Sequence, residues 1–135
     1  MTAIADIPVR LDDGATSGLA SIVQQFLEQQ LADSARRRVR ASRLHGRLGL
    51  TATDYEASVT VDFRGDEITI SDGSTGPFDA TIAGPYESLT KLLQGRSNPL
   101  IEHLRGRLKV TSRFGNLFFP YRVHRLIKLA PEGNH

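Results

Sequence analysis

The feature that most constrains this chain is a change of hydrophobic period near residue 44. Before it, Leu19, Ile22, Val23, Phe26, Leu27 and Leu31 recur at steps of three and four, which marks one apolar stripe on a helix opened by Thr16 or Ser17. After it the period is two. Leu44, Gly46, Leu48, Leu50 and Ala52 alternate with polar residues or glycine. Ala57, Val59, Val61 and Phe63 alternate with Ser58, Thr60 and Asp62, then Ile68 and Ile70 follow the Arg64-Gly65-Asp66 turn, and Phe78, Ala80 and Ile82 follow a Gly/Ser loop. Four strands, each apolar on one face only, predict an antiparallel sheet with one packed side and one wet side.

The helix is expected to run on to Arg36, Arg37 and Arg38, where positive charge suits the negative end of its dipole. Past the fourth strand the chain is punctuated. Gly84-Pro85 opens a helix carrying Tyr86, Leu89, Leu92 and Leu93, with Pro85 as its first residue, and Gly95 stops it in the left-handed conformation. Ser97-Asn98-Pro99 starts a second short helix with Leu100, Ile101 and Leu104, ended by Gly106. Leu108 and Val110 then alternate with Arg107, Lys109 and Thr111 as a fifth strand, and Asn116 to Leu129 forms the last segment, a helix with Pro120 in its first turn. The order is helix, four strands, two helices, strand, helix. This is an α+β fold, a five-stranded, mostly antiparallel sheet with helices over one face.

At 135 residues the chain holds one core. Residues 1–15 form an N-terminal arm or tail, 16–130 the domain, and 131–135 a C-terminal tail. Ile4, Ile7, Val9 and Leu11 suit an arm packed on the body or on a second subunit, which leaves a homodimer open; the alternative is a loosely held tail. There is no cysteine, so disulfides and thiolate metal sites are excluded. The N-terminal segment lacks a basic stretch followed by a long apolar one, and no apolar run approaches the roughly 20 residues that span a bilayer. A soluble, cytoplasmic protein is expected.

The run Phe78-Asp79-Ala80-Thr81-Ile82, the helix end Leu92-Leu93-Gln94-Gly95-Arg96, the step Asn98-Pro99, and Arg105-Gly106-Arg107-Leu108-Lys109-Val110 resemble, in this order and spacing, the sterol carrier protein type 2 domain. The likeness covers roughly residues 19–129 and is tightest over 78–115. It implies a sheet covered by helices with an apolar tunnel between them, a fatty acyl, acyl-coenzyme A, sterol or similar ligand, no cofactor and no catalytic residues of its own. The ligand walls would be Val59, Val61, Phe63 and Val110 on the sheet and Phe26, Leu89, Leu93, Leu100 and Leu104 on the helices. Residues 114–121, with Phe114, Leu117, Phe118, Phe119 and Tyr121, would gate the mouth, as lid or as ordinary core. Ser112 stands where the family usually has a second glycine after the fifth strand. Each buried methylene contributes about 0.8 kcal/mol, so a chain of about twelve carbons supplies roughly 9 kcal/mol before ordering costs.

The remaining polar residues form no catalytic pattern. His45, His103 and His124 have no acidic partners at metal-ligand spacing. Asp62, Asp66, Glu67 and Asp72 read as the wet face and its turns. Ser112 has no nucleophile-elbow context. Arg36, Arg37, Arg38, Arg40 and Arg43 suit anionic headgroups at a membrane surface, or a solvated helix end. No aromatic-rich basic strand accompanies them, so nucleic acid is not expected. Three functions follow. One is a carrier that presents its lipid to a membrane or a partner enzyme. Another is an enzyme that cyclises or isomerises a hydrophobic intermediate, for which Asp79, Tyr86, His103 or Tyr121 are the nearest polar groups. The third is a purely structural partner protein, a dimer through the N-terminal arm.

Overall fold

The computed structural model describes residues 7–12, 14, 17–32, 34–74, 76–96, 103, 105–112 and 119–127. Within them lie six strands and four helices. The strands are β1 (Val9–Leu11), β2 (His45–Ala52), β3 (Ala57–Arg64), β4 (Ile68–Asp72), β5 (Ala80–Gly84) and β6 (Lys109–Ser112). The helices are α1 (Gly18–Ala32), α2 (Ala35–Ser42), α3 (Tyr86–Leu93) and α4 (Phe119–Ile127). The predicted short helix with Leu100, Ile101 and Leu104 falls largely outside the described residues.

The strands form one sheet in the order β1-β4-β3-β2-β5-β6. The pairs β2–β3, β3–β4 and β5–β6 are antiparallel, while β1–β4 and β2–β5 are parallel. The α+β class and the mostly antiparallel sheet agree with the alternation in the sequence. The strand count does not, because Val9–Leu11 adds a sixth strand at the edge. It is held by backbone bonds from Ile68 to Pro8 (2.9 Å) and from Asp12 to Ile70 (2.8 Å), and by the Gln24 side-chain amide donating to the Val9 carbonyl at 3.0 Å. Ile7 and Val9 are buried. Two such side chains contribute about 1.5–3 kcal/mol each, which offsets about 1–2 kcal/mol per residue of backbone ordering.

One sheet face is polar. Arg47 pairs with Asp62 at 2.8 Å, Thr51 bonds Ser58 at 3.0 Å, and Thr81 bonds Thr111. The other carries the core, covered by Leu19, Val23, Leu27 and Leu31 of α1, Leu89, Leu92 and Leu93 of α3, and Phe119, Val123 and Leu126 of α4. Phe78 departs from the predicted alternation. β5 begins at Ala80, and the Phe78 ring lies over Gly49 on the polar side, where a Cβ at Gly49 would meet it at 3.1 Å.

The first helix is shorter than the sequence suggests. Ser34 has extended backbone and its side chain accepts from the Arg37 amide at 3.3 Å, so a new helix starts there. Arg36, Arg37 and Arg38 therefore lie at the beginning of α2, not at the end of α1. The dipole argument survives in another form. Arg38 folds back so that Nη1 donates to the carbonyls of Leu31 (2.7 Å) and Ala32 (3.3 Å), capping the C-terminus of α1 through space. At the third helix Pro85 is the flanking cap residue, one position earlier than expected, and the Asp54 carboxylate accepts the Tyr86 amide at 2.9 Å. Gly95, with φ of 76°, ends this helix as predicted; its amide donates to Leu92 at 2.9 Å and that of Arg96 to Lys91 at 3.0 Å.

Asp72 corrects the reading of the acidic residues. It shares the inner face with Ile68 and Ile70, and its carboxylate receives the Ser17 amide (3.1 Å) and hydroxyl (2.5 Å). The Ser17 hydroxyl oxygen in turn accepts the Ala20 amide at 3.0 Å. One carboxylate thus ties the start of α1 to the end of β4. Replacing Ser17 by Ala is expected to cost about 1–2 kcal/mol in urea unfolding, because the cap and the sheet tether are lost together. The exposed Ser74→Ala should leave the midpoint unchanged.

Candidate functional site

The inner face is built from rows of side chains crossing the strands. One row runs Leu11, Ile70, Val61, Leu48, Ala80; the next runs Asp72, Val59, Leu50, Ile82, Val110; a third runs Val9, Ile68, Phe63, Gly46. Of the residues expected to wall a ligand, the structure brings Val59, Val61, Phe63, Leu89 and Leu93 into the buried core, with Phe26 and Val110 half-buried against it. Leu100, Leu104, Phe114, Leu117 and Phe118 lie outside the described residues. Tyr121 belongs to α4.

The third row has a gap at Gly46, and an aromatic ring fills it. Phe119, the first residue of α4, is fully buried and meets Phe63 edge-on, with ring centroids 6.0 Å apart and planes at 77°. A Cβ at Gly46 would lie 2.5 Å from Cε1 and 2.7 Å from Cζ of Phe119. Only glycine lets the ring approach the backbone this closely. Phe119 thereby pins the start of α4 inside the segment expected to gate the mouth. The sequence left Phe119 open between lid and ordinary core, and the structure places its ring in the core. The signal was present in Gly46, a strand position with no side chain facing inward.

Asp79, His103 and Tyr86, three of the polar groups weighed for catalysis, make structural contacts. Alternation with Ala80 puts Asp79 on the outer face, and its contacts place it at the rim of the sheet. Its Oδ2 accepts the Arg47 amide at 2.8 Å, its own amide donates to the Arg47 carbonyl at 2.8 Å, and Oδ2 lies 3.1 Å from the Cβ position of Gly46, beside Phe119. The carboxylate extends the β2–β5 pairing by one residue at the rim of the apolar face. The Nδ1 of the exposed His103 accepts the Val110 amide at 3.1 Å and anchors β6. Tyr86 stacks edge-on against the exposed Tyr55, at 5.2 Å. Among the described residues no group of three His, Asp or Glu side chains is placed to hold a metal ion, and no helix is long and apolar enough to cross a membrane.

This arrangement is a polar-backed sheet with an apolar front under α1, α3 and α4. Residues 23–119 match the model of the SCP-2 sterol transfer family. The chain belongs to that family. Solved structures agree on the fold. The UbiJ-SCP2 ubiquinone synthesis protein aligns with a TM-score of 0.63 at 20% identity, over 81% of this chain and 92% of that one. The sterol carrier protein domain 2 of Helicoverpa armigera gives 0.64 at 13% identity, over 89% and 98%. The stereoselective inverting sec-alkylsulfatase Pisa1 from Pseudomonas sp. gives 0.57 at 16% identity, over 70% of this chain but 14% of that enzyme. A search of curated proteins returned no match.

The Gly46–Phe119 contact generates a prediction. Gly46→Ala should destabilise the protein by about 1–3 kcal/mol, because the added methyl meets a ring packed on Phe63. Shrinking the ring in the double variant Gly46→Ala/Phe119→Leu should recover part of that loss. A double-mutant cycle in urea should then show a coupling of about 0.5–3 kcal/mol.

Proposed function

We propose that this SCP-2 family member binds one hydrophobic ligand between the inner face of its sheet and the helices above it, and carries or presents that ligand to a membrane or a partner enzyme. Family membership over residues 23–119 supports lipid binding and transfer in general. The observation that carries the finer reading is the chemistry of the inner face. Val59, Val61, Phe63, Leu89 and Leu93 form one apolar surface, with Phe26 and Val110 at its half-buried margin. Such walls hold an acyl chain or a fused ring system by area, with no charged group needed inside. Leu100, Leu104, Phe114, Leu117, Phe118 and Tyr121 complete the proposed wall and mouth.

A non-catalytic role fits the polar groups at the rim. The Asp79 carboxylate and the His103 imidazole each accept a backbone amide and so serve to hold strands in place. Apolar walls discriminate weakly, by about 1–3 kcal/mol per methylene, so the family of acceptable ligands is broad.

The test is delipidation followed by titration with a fluorescent fatty acid and a fluorescent sterol, alongside mass spectrometry of organic extract from freshly purified protein. At least one probe should bind with a Kd below about 100 µM, equivalent to roughly 5.5 kcal/mol. Phe26 is half-buried, so Phe26→Asp leaves its carboxylate a route to water and should weaken binding by about tenfold or more while the protein stays folded. Absence of both probe binding and co-purified lipid would overturn the reading.

A further inference from the structure

The positive charge of this chain is concentrated in two stretches that the fold brings together. Residues 34–53 contain six arginines and no acidic residue, and residues 103–131 contain seven Lys or Arg and no acidic residue. The first supplies α2 and the second supplies α4, and these helices pack against each other. Between them lies an open cleft of about 380 Å³ lined by Arg40, Arg43, Leu44, Arg122 and Arg125. Leu44 is buried, Arg40 is half-buried, and Arg43, Arg122 and Arg125 are exposed.

The cleft is organised on one side and, among the described residues, uncompensated on the other. Arg40 Nη1 donates to the Arg125 carbonyl at 3.0 Å, which fixes one guanidinium against the last turn of α4. Burial, then the positive charges of Arg125, Arg36 and Arg37, lower the pKa of Arg40 from its usual value, although arginine stays charged at any working pH. Ion pairs form at Arg10–Glu67, Arg47–Asp62, Arg64–Glu67 and Lys91–Glu87, and among the described residues none of these includes a cleft arginine. Cations gathered on low-dielectric walls focus a positive potential into the space between them. All four are arginine, whose planar fork matches phosphate oxygens two at a time, where lysine would offer a point charge.

We propose that the α2–α4 cleft is a binding site for a phosphate group, gripped by Arg40, Arg43, Arg122 and Arg125. The proposal does not rest on the carriage of a hydrophobic ligand, and its test uses none. The phosphate is either that of a soluble compound or a headgroup in an anionic bilayer, and two probes separate these sources. Sodium pyrophosphate is titrated at constant ionic strength, with the melting temperature followed against chloride. Phosphatidylcholine vesicles with and without phosphatidic acid are sedimented with the protein. Each is run on the full chain, on Arg122→Gln/Arg125→Gln, on Arg43→Gln from the opposite wall, and on Arg10→Gln/Arg64→Gln, which removes the same charge as the cleft double variant but from β1 and β3.

At least one probe should bind the wild type, pyrophosphate by raising the melting temperature or the acidic vesicles by co-sedimentation. The cleft double variant should lose at least about fivefold in affinity for that probe. In chloride alone it should melt no lower than wild type, because removing two like charges relieves repulsion. Arg43→Gln should weaken binding to a smaller extent, and the β1/β3 control should bind as wild type does. Failure of both probes, equal weakening in the control, or unaltered binding by the cleft variant would overturn the proposal. Tighter binding of duplex DNA than of either probe would overturn it in favour of a nucleic-acid surface.

Discussion

Everything in this protein depends on covering one apolar sheet face. A sheet with a hydroxyl- and charge-bearing back and an aliphatic front has no stable existence in water until the front is roofed. The roof is made of three helices from distant parts of the chain, and two irregular positions in the side-chain rows determine where two of them begin. Asp72 stands where an aliphatic residue would continue the row from Val59, and it captures the first turn of α1. Gly46 leaves a hole beside Phe63, and the hole receives the first residue of α4. A carboxylate and a missing side chain thus act as address labels for two helices.

The remaining helix, α2, covers little. Its buried residue is Ala41, and its contribution is made by arginine side chains reaching away from it. Arg38 satisfies carbonyls at the end of α1, and Arg40 satisfies one at the end of α4. Two helices that would each finish with unsatisfied acceptors and a negative dipole end are closed by the same neighbour. The cost is like charge gathered in one place. The clip that holds the roof together and the cationic cleft beside it are two consequences of one arginine-rich turn and helix.

The strands from residue 45 to residue 84 were legible because a half-buried antiparallel strand writes its orientation into every second residue. Val59, Val61 and Phe63 could be assigned to the inner face on that ground alone. Gly95 was legible because a left-handed helix terminus strongly favours glycine. What stayed hidden was non-local. Val9–Leu11 pairs in parallel with a strand more than fifty residues away, and three residues carry no periodicity to announce it. The break at Ser34 was masked because the arginines after it also suit the end of a preceding helix. Phe78 sits in phase with Ala80 and Ile82, yet its ring crosses to the other side because the strand starts after it. Asp72 was readable from its phase with Ile68 and Ile70, although residue type argued the opposite way. The α2–α4 cleft exists only once the two ends of the domain meet, so spacing along the chain says nothing of it.

The edge strand β1 bears on how copies of this molecule meet one another. Without it, the outer edge of β4 at Ile68–Ile70 would present open donors and acceptors beside an aliphatic surface, a template for any incoming strand. With Ile7 and Val9 as its buried side chains, the shield is held by far less burial than the central strands it protects. An identical strand from a neighbouring copy satisfies the same groups. The chain's own strand wins because the short connection to α1 keeps it at an effective concentration of roughly millimolar. The chain thus closes its own open edge, with a strand tethered a few residues from the helix it precedes.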